Sequence, residues 1–328
     1  MNIVSTGLYV PGEPIDNAEL MRLAGVEFDA ERTEEKLGIA RRHIAHLRGI
    51  DETSADFAEK AARAAIERAR IHPDEIGLFL VATDTPEYIS PATSMLLQGR
   101  IQGGQRPAGT FDLNASCSSF VAALHTAQAL LKTDRAIRYA CVVGLYNMPA
   151  YVRAGDVFGY SIFADGAAAF IIEDGDGYLG GQLLSDGTQY DYVGVYSGGT
   201  RQPVTAERLA SGQYGLELLK RLPGDRNVKL WPGMVDTLLD KIGRSRDQID
   251  HYLFTQINKA VIHEVMSVLG QPISKTTTVM DRYGYTGSAC IPMAFHTAVT
   301  EGRITRGDTV MAVASGAGLA VAAGCWLY

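Results

Sequence analysis

Cys117 is the residue whose type and setting most readily do chemistry. It lies in residues 111–119 (FDLNASCSS), after a strand signal and at the head of an apolar helix signal over residues 120–132 (FVAALHTAQALLK). A thiol at a helix N-terminus meets the positive end of the dipole, and the free N–H groups there can receive developing negative charge. Ala115, Ser116, Ser118 and Ser119 are small and leave room for a substrate. A nucleophilic thiolate needs this setting, with its own N–H as half of an oxyanion hole. The competing reading of a lone cysteine is a buried structural residue.

Other reactive residues are dispersed. Cys141, Cys290 and Cys325 show no CxxC spacing, so neither a metal site nor a disulfide framework is expected. His125 lies further along the Cys117 helix signal, roughly 12 Å away at about 1.5 Å per residue. His251 precedes Thr255 on one strand signal, about 13 Å along it. His263 and His296 fall on helix signals, where a surface position is the plain reading. His43 and His46 share the segment RRHIAH.

The elements that must position Cys117 follow from periodicity. Residues 2–10 read as a short strand closed by Pro11-Gly12-Glu13-Pro14, and Asp16 as the N-cap of a helix around 17–24. Residues 54–70 carry Phe57, Ala61, Ala65 and Ala69 at period four with charges between, which predicts an amphipathic helix stopped by His72-Pro73. Residues 76–83 (IGLFLVAT) form an apolar run of strand length, implying burial on both faces. Further helix signals cover 92–102, 231–242, 259–269 and 289–301. Further strand signals cover 109–113, 139–145, 163–172 and 249–255. Residues 175–213, rich in Gly, Tyr, Ser and Thr, read as hairpins and surface loops. Helices alternating with buried strands predict an α/β protein with a mixed or parallel sheet covered on both sides.

The chain of 328 residues is 46% hydrophobic and 20% charged, a globular composition rather than a disordered one. Its 37 acidic and 30 basic residues give net −7 with no Lys/Arg block, which argues against nucleic-acid and membrane-surface partners. The opening MNIVSTGLYVPGEP has neither a basic n-region nor a long apolar stretch, so no signal peptide and a cytoplasmic location are expected. Residues 309–328 carry no charge, but Ser315-Gly316-Ala317-Gly318 divides them. Two short buried strands joined by a glycine turn are expected there, not a membrane anchor.

Around the Cys117 segment, six collinear stretches resemble the β-ketoacyl-acyl carrier protein synthase III family of the thiolase superfamily. They are TGLYVPGEPIDNAEL (6–20), GIARRHIA (38–45), VATDTPEYISPATS (81–94), FADGAAAFII (163–172), YGYTGSACIP (283–292) and ASGAGLAVAAG (314–324). The resemblance implies a thiolase-like duplicated αβαβα five-layer fold in a homodimer. The N-terminal half, residues 1–175, would carry the nucleophile, and residues 176–328 would form the C-terminal half. It implies an acyl thioester on Cys117 taken from acyl-CoA or acyl carrier protein, no tightly bound cofactor, and an oxyanion hole from the N–H groups of Cys117 and Ala317. In the family, condensation with a malonyl carrier protein then uses a histidine and an asparagine.

Here the pattern departs. The family's PHQAN aligns with Phe254-Thr255-Gln256-Ile257-Asn258, and its YGNTS with Tyr283-Gly284-Tyr285-Thr286-Gly287. Thr255 stands at the histidine position and Tyr285 at the asparagine position. A hydroxyl and a phenol can donate, but neither is a good base near neutral pH. Each lost donor of this kind costs roughly 10²–10³-fold in rate. Transfer of the acyl group to another acceptor is therefore expected, in secondary metabolism or specialised fatty acid or polyketide biosynthesis, with Thr255 and Tyr285 lining the acceptor site. The alternative is a non-catalytic ketosynthase-like subunit of a heteromeric complex.

The cofactor-side positions differ as well. Asn258 keeps the family's contact to the pantetheine end. Arg32 and Lys36 stand where the family has an adenine-stacking tryptophan and a phosphate-binding arginine, and both can still meet CoA phosphates. Ser90 stands where a phenylalanine crosses the dimer to cap the acyl pocket, so a larger pocket is expected unless Tyr88 or another residue fills it. Lys259 with Arg208, Lys220, Arg221 and Arg226 is a candidate patch for an acidic carrier protein.

Overall fold

Strands whose side chains alternate between two apolar layers set the architecture of the computed structural model, which describes residues 1–104 and 106–328. In Ile76–Ala82, Leu78, Leu80 and Ala82 join one apolar cluster and Phe79 and Val81 another. The strand is buried on both faces, as its unbroken apolar run requires. It belongs to a five-stranded sheet in the order Asn2–Tyr9, Gly166–Glu173, Tyr139–Tyr146, Ile76–Ala82, Gly109–Leu113. The last three are parallel, and the first two pair antiparallel. A second sheet runs His251–Phe254, Thr309–Gly316, Gly318–Leu327, Tyr178–Gln189, with only the first pair parallel.

Two apolar helices, Ser119–Thr133 and Cys290–Thr300, lie between the sheets. Cys290–Thr300 is buried continuously from Cys290 to Ala298, as a helix apolar on all sides must be. Ser54–Ala69 and Thr93–Gln102 cover the outer face of the first sheet. Ser54–Ala69 starts from a Thr53/Asp56 capping box and ends where Arg70 turns left-handed. Arg226–Ile242, with Lys259–Leu269 beside it, covers the second sheet. The stack is the five-layer αβαβα arrangement.

Most expected elements are present. Asp16 caps Asn17–Ala24 by accepting the Glu19 N–H at 2.8 Å. The uncharged C-terminal stretch is the antiparallel pair Thr309–Gly316 and Gly318–Leu327. Among the described residues, no helix is long and apolar enough to cross a membrane. Two expectations need correction. Tyr178–Gln189 is not a surface hairpin but a long edge strand on Gly318–Leu327. Its outer face meets solvent, so its pattern lacks the apolar run that marks a buried strand. The helix expected at 231–242 begins at Arg226 and passes through Pro232. Burial of Trp231, Met234 and Val235 outweighs the lost backbone bond.

One buried carboxyl ties the loops to the first sheet. Asp165 precedes Gly166–Glu173; its Oδ2 accepts the Ala45 N–H at 2.7 Å, and its own N–H donates to the His43 carbonyl at 2.8 Å. Its Oδ1 has no partner. Burial pushes the carboxyl up to about 8. The folded state therefore holds a proton that the unfolded chain releases near pH ~4. Stability from this group falls as pH rises between those two values, by up to ~1.4 kcal/mol per unit. Asp165→Asn is expected to remove that slope. Its thermal midpoint relative to wild type should climb steadily from about pH 5 to about pH 8; a pH-independent difference would contradict the protonated assignment.

Candidate active site

The C-terminal ends of parallel strands bring the site together. Asp84 follows Ile76–Ala82, Cys117 follows Gly109–Leu113, and Tyr146 ends Tyr139–Tyr146 in the first sheet. Thr255 follows His251–Phe254, and Ser315 lies at the end of Thr309–Gly316 in the second. All five line one cavity of about 380 Å³. Such strand ends are where open α/β sheets usually hold ligands.

Cys117 lies two residues ahead of the helix Ser119–Thr133, in a tight turn. Ser116 has φ +49°, in the left-handed region that side chains rarely adopt. Short polar side chains hold that conformation. Asn114 Oδ1 accepts the Ser116 N–H at 3.0 Å, Ser119 Oγ accepts the Ala115 N–H at 2.8 Å, and Ser118 Oγ donates to the Ala115 carbonyl at 2.6 Å. The serines therefore build the turn as well as leaving space. Gly316 of the second sheet presses against it: a Cβ there would lie 2.6 Å from the Cys117 nitrogen and 2.7 Å from Ser116 Cβ. Ala317, next along, lines the cavity with Cys117, a placement compatible with the paired N–H role expected of these two residues.

The sulfur is enclosed except where it borders the cavity. Burial pushes the Cys117 thiol well above its usual range, and the charge of Asp84 adds to this. The Tyr285 hydroxyl acts in the opposite direction. The resting group is thus a thiol, not the thiolate that the helix dipole alone predicts. Desolvation wins because the sulfur is deep and not yet on the helix. Tyr285 is itself held protonated by burial, so it serves the sulfur as a donor.

Tyr285 belongs to an aromatic wall. Its ring is 5.7 Å from Phe163 and 6.2 Å from Tyr146, and Phe158 meets Phe163 edge-on at 5.6 Å. Gly287 makes the wall possible, because a Cβ there would overlap the Tyr146 ring.

Thr255 lines the cavity, but its hydroxyl is already engaged. It accepts the Ser315 N–H at 2.9 Å and donates to the Ser315 carbonyl at 3.4 Å, so it is not the free donor expected from its position. Asn258 lines the cavity and caps Lys259–Leu269, its Oδ1 accepting the Val261 N–H at 3.1 Å. Arg32 and Lys36 are exposed; of their segment, Leu37 reaches the cavity wall. Tyr88 and Ser90 sit on an exposed loop outside the cavity of the single chain.

The five basic residues are not equivalent. Arg221 and Arg226 line the cavity, Lys220 pairs with Asp191 at 2.6 Å, Arg208 bonds Gln202, and Lys259 is half-buried. Among the described residues no histidine lines the cavity. His43 bonds the Pro11 and Gly12 carbonyls, His125 bonds Tyr178, and His251 bonds Thr277. His296 is buried against Thr6, not on the helix surface expected for it.

Sequence reasoning missed Asp84 and Tyr146 as site residues, and placed Arg226 on a surface patch. The available signal for Asp84 was a carboxylate directly after a buried parallel strand.

Two family models match the chain. 3-Oxoacyl-[acyl-carrier-protein] synthase III covers residues 111–187, and the C-terminal part of the same enzyme covers residues 239–328. The β-ketoacyl-[acyl-carrier-protein] synthase III of Sinorhizobium medicae is 34% identical over 320 residues, 95% of this chain and 94% of the relative. That of Alkalilimnicola ehrlichii is 35% identical over 323 residues, 96% and 95% of the two chains. The crystal structure of 3-oxoacyl-[acyl-carrier-protein] synthase III from Aquifex aeolicus superposes with TM-score 0.85 at 26% identity over 99% of each chain. The priming β-ketosynthase of the R1128 polyketide pathway superposes with TM-score 0.87 at 25% identity, over 99% of this chain and 95% of the other.

Two substitutions test the geometry. Gly316→Ala should force the Cys117 turn aside, slowing iodoacetamide alkylation of Cys117 at least ~10-fold and lowering stability by about 1–3 kcal/mol. Tyr285→Phe removes the donor to the sulfur, so the alkylation profile should move to higher pH by about one unit. An unshifted profile would mean that the phenol does not reach the thiol.

Proposed function

Since the chain belongs to the 3-oxoacyl-[acyl-carrier-protein] synthase III family of acyl-transferring condensing enzymes, we propose a more specific role for it. Cys117 takes an acyl group from a CoA or carrier-protein thioester and passes it to an acceptor other than malonyl carrier protein, in specialised fatty acid or polyketide biosynthesis. The observation that carries this reading is the make-up of the cavity wall. It holds the Cys117 thiol but no histidine among the described residues, and a Thr255 hydroxyl already bonded to Ser315.

In the first half of the reaction the Cys117 sulfur attacks the thioester carbon. Its proton leaves with the departing thiol, and the charge developing on the carbonyl oxygen falls to the N–H groups of Cys117 and Ala317. The Tyr285 hydroxyl stabilises the sulfur as it loses its proton. Met148, Phe158, Phe163 and Leu216 give the cavity an apolar wall suited to an acyl chain. Arg221 at the cavity, with Arg32 and Lys36 on the exposed segment near Leu37, would meet the phosphates of CoA, and Asn258 the pantetheine arm.

Decarboxylative condensation asks for more. It needs two donors on the malonyl thioester oxygen, of which Tyr285 can supply one. A missing donor of this type lowers the rate roughly 10²–10³-fold. The likeness to a polyketide priming ketosynthase supports the specialised setting, and the family resemblance supports a homodimer in which the loop carrying Tyr88 and Ser90 meets its partner.

The test is intact-mass analysis after incubation with acyl-CoA thioesters of different chain length. Wild type should gain one acyl group and Cys117→Ala none. Malonyl turnover should be negligible in wild type and should rise at least ~10²-fold when Thr255→His is combined with Tyr285→Asn. Fast malonyl turnover in wild type would overturn the acceptor assignment. Failure to acquire an acyl group from any donor would favour the non-catalytic subunit instead.

A further inference from the structure

Asp84 has no structural task in the loop that carries it. That loop is held by its threonines: the Thr83 N–H donates to the Leu113 carbonyl at 3.1 Å, the Thr85 N–H to Thr83 Oγ1 at 2.9 Å, and the Asn147 N–H to Thr85 Oγ1 at 2.9 Å. The Asp84 carboxylate takes part in none of these, and its Oδ1 is buried without a hydrogen-bond partner. A carboxylate left this way is costly to the fold, and such costs recur at functional sites. Among the described residues that line the Cys117 cavity, Asp84 is the only carboxylate, and there is no histidine.

We propose that Asp84 is the proton acceptor of the second half-reaction and that the acyl acceptor is therefore a hydroxyl or amine compound. The proposal rests on the acyl-transfer reading above. A carbon acceptor generated by decarboxylation has no proton to surrender as it attacks, whereas an alcohol or amine does.

The step balances without any further reactant. The acceptor's oxygen or nitrogen attacks the acyl carbon on Cys117, forming the new C–O or C–N bond, while its proton passes to the Asp84 carboxylate. The carbonyl oxygen carries the negative charge at this stage. On collapse the C–S bond breaks, and the proton moves from Asp84 to the departing sulfur. The products are an ester or amide and the original thiol.

The surroundings fit this traffic. The charge of Asp84 is felt by Cys117 from the nucleophile turn, by Tyr146 at the end of its strand and by Tyr151 just beyond. Arg226 lines the same cavity from the helix Arg226–Ile242. Burial lifts the Asp84 carboxyl to about 6, so it is ionised at neutral pH yet more basic than an ordinary carboxylate. The Cys117 thiol sits well above it, so the proton runs downhill from the carboxyl to the leaving sulfur. The phenols of Tyr146 and Tyr151 are raised by burial and do not compete as bases.

Asp84→Asn tests the assignment by two measurements. The first is the pH profile of Cys117 alkylation by iodoacetamide, with no acyl donor present. Removing the negative charge should move the profile to lower pH; an unchanged profile would place the carboxylate out of contact with the sulfur and overturn the proposal. The second begins with protein loaded from hexanoyl-CoA and freed of excess donor. Loss of the adduct is followed by intact mass with butanol or butylamine added. In wild type the rate should climb as pH passes about 6. In the variant the adduct should persist about 10²–10³-fold longer, with that limb flattened. Equal lifetimes would overturn the proposal. Should wild type take up no hexanoyl or other acyl group, the acyl-transfer reading is what fails, and the alkylation profile still decides whether Asp84 acts on Cys117. Asp84→Ala carries both measurements if the asparagine variant does not fold.

Discussion

At Gly316 two backbones touch with no side chain between them, and the position of the nucleophile depends on that contact. The turn carrying Ser116 and Cys117 grows from the first sheet, and Gly316 closes the second. Each would relax if the other moved away. Ser116 stays in a left-handed conformation only because Asn114, Ser118 and Ser119 bond the turn from within while Gly316 presses from outside. The five layers serve this junction: they aim the C-terminal ends of parallel strands from both sheets at one cavity.

The second governing condition is dryness. Burial is the largest influence on Cys117, Asp84, Tyr146 and Tyr285 alike, and it pushes every one of them upward. Near neutral pH this leaves thiol and phenols uncharged, with Asp84 as the anion of the cavity wall and Arg226 as a cation on the same wall. Interactions with a developing oxyanion are stronger in such surroundings than in water. They also leave the sulfur without a charged imidazole partner.

Several elements were legible because local physics decides them. Asp16 caps its helix through a bond to a residue three positions on, and Ile76–Ala82 announces double burial by composition alone. Other features lie beyond local pattern. Tyr178–Gln189 is an edge strand, and its partner Gly318–Leu327 is more than a hundred residues away in the chain. The commitment of the Thr255 hydroxyl to Ser315 depends on two strands lying parallel in one register. The room for Tyr146 depends on the missing side chain of Gly287, in the turn ahead of Cys290–Thr300 and again more than a hundred residues away in the chain.

By itself the sequence determined the order of helices and buried strands, the cysteine in its run of small polar residues, and the hydroxyl side chains of Thr255 and Tyr285. These are properties of residue type and short-range spacing. Tertiary structure decided the ionisation of Cys117, the loss of Thr255 as a free donor, and the presence of Asp84 on the wall of the same cavity. Each depends on desolvation or on contacts between segments far apart in the chain. Those quantities exist only once the two sheets have closed over the cavity.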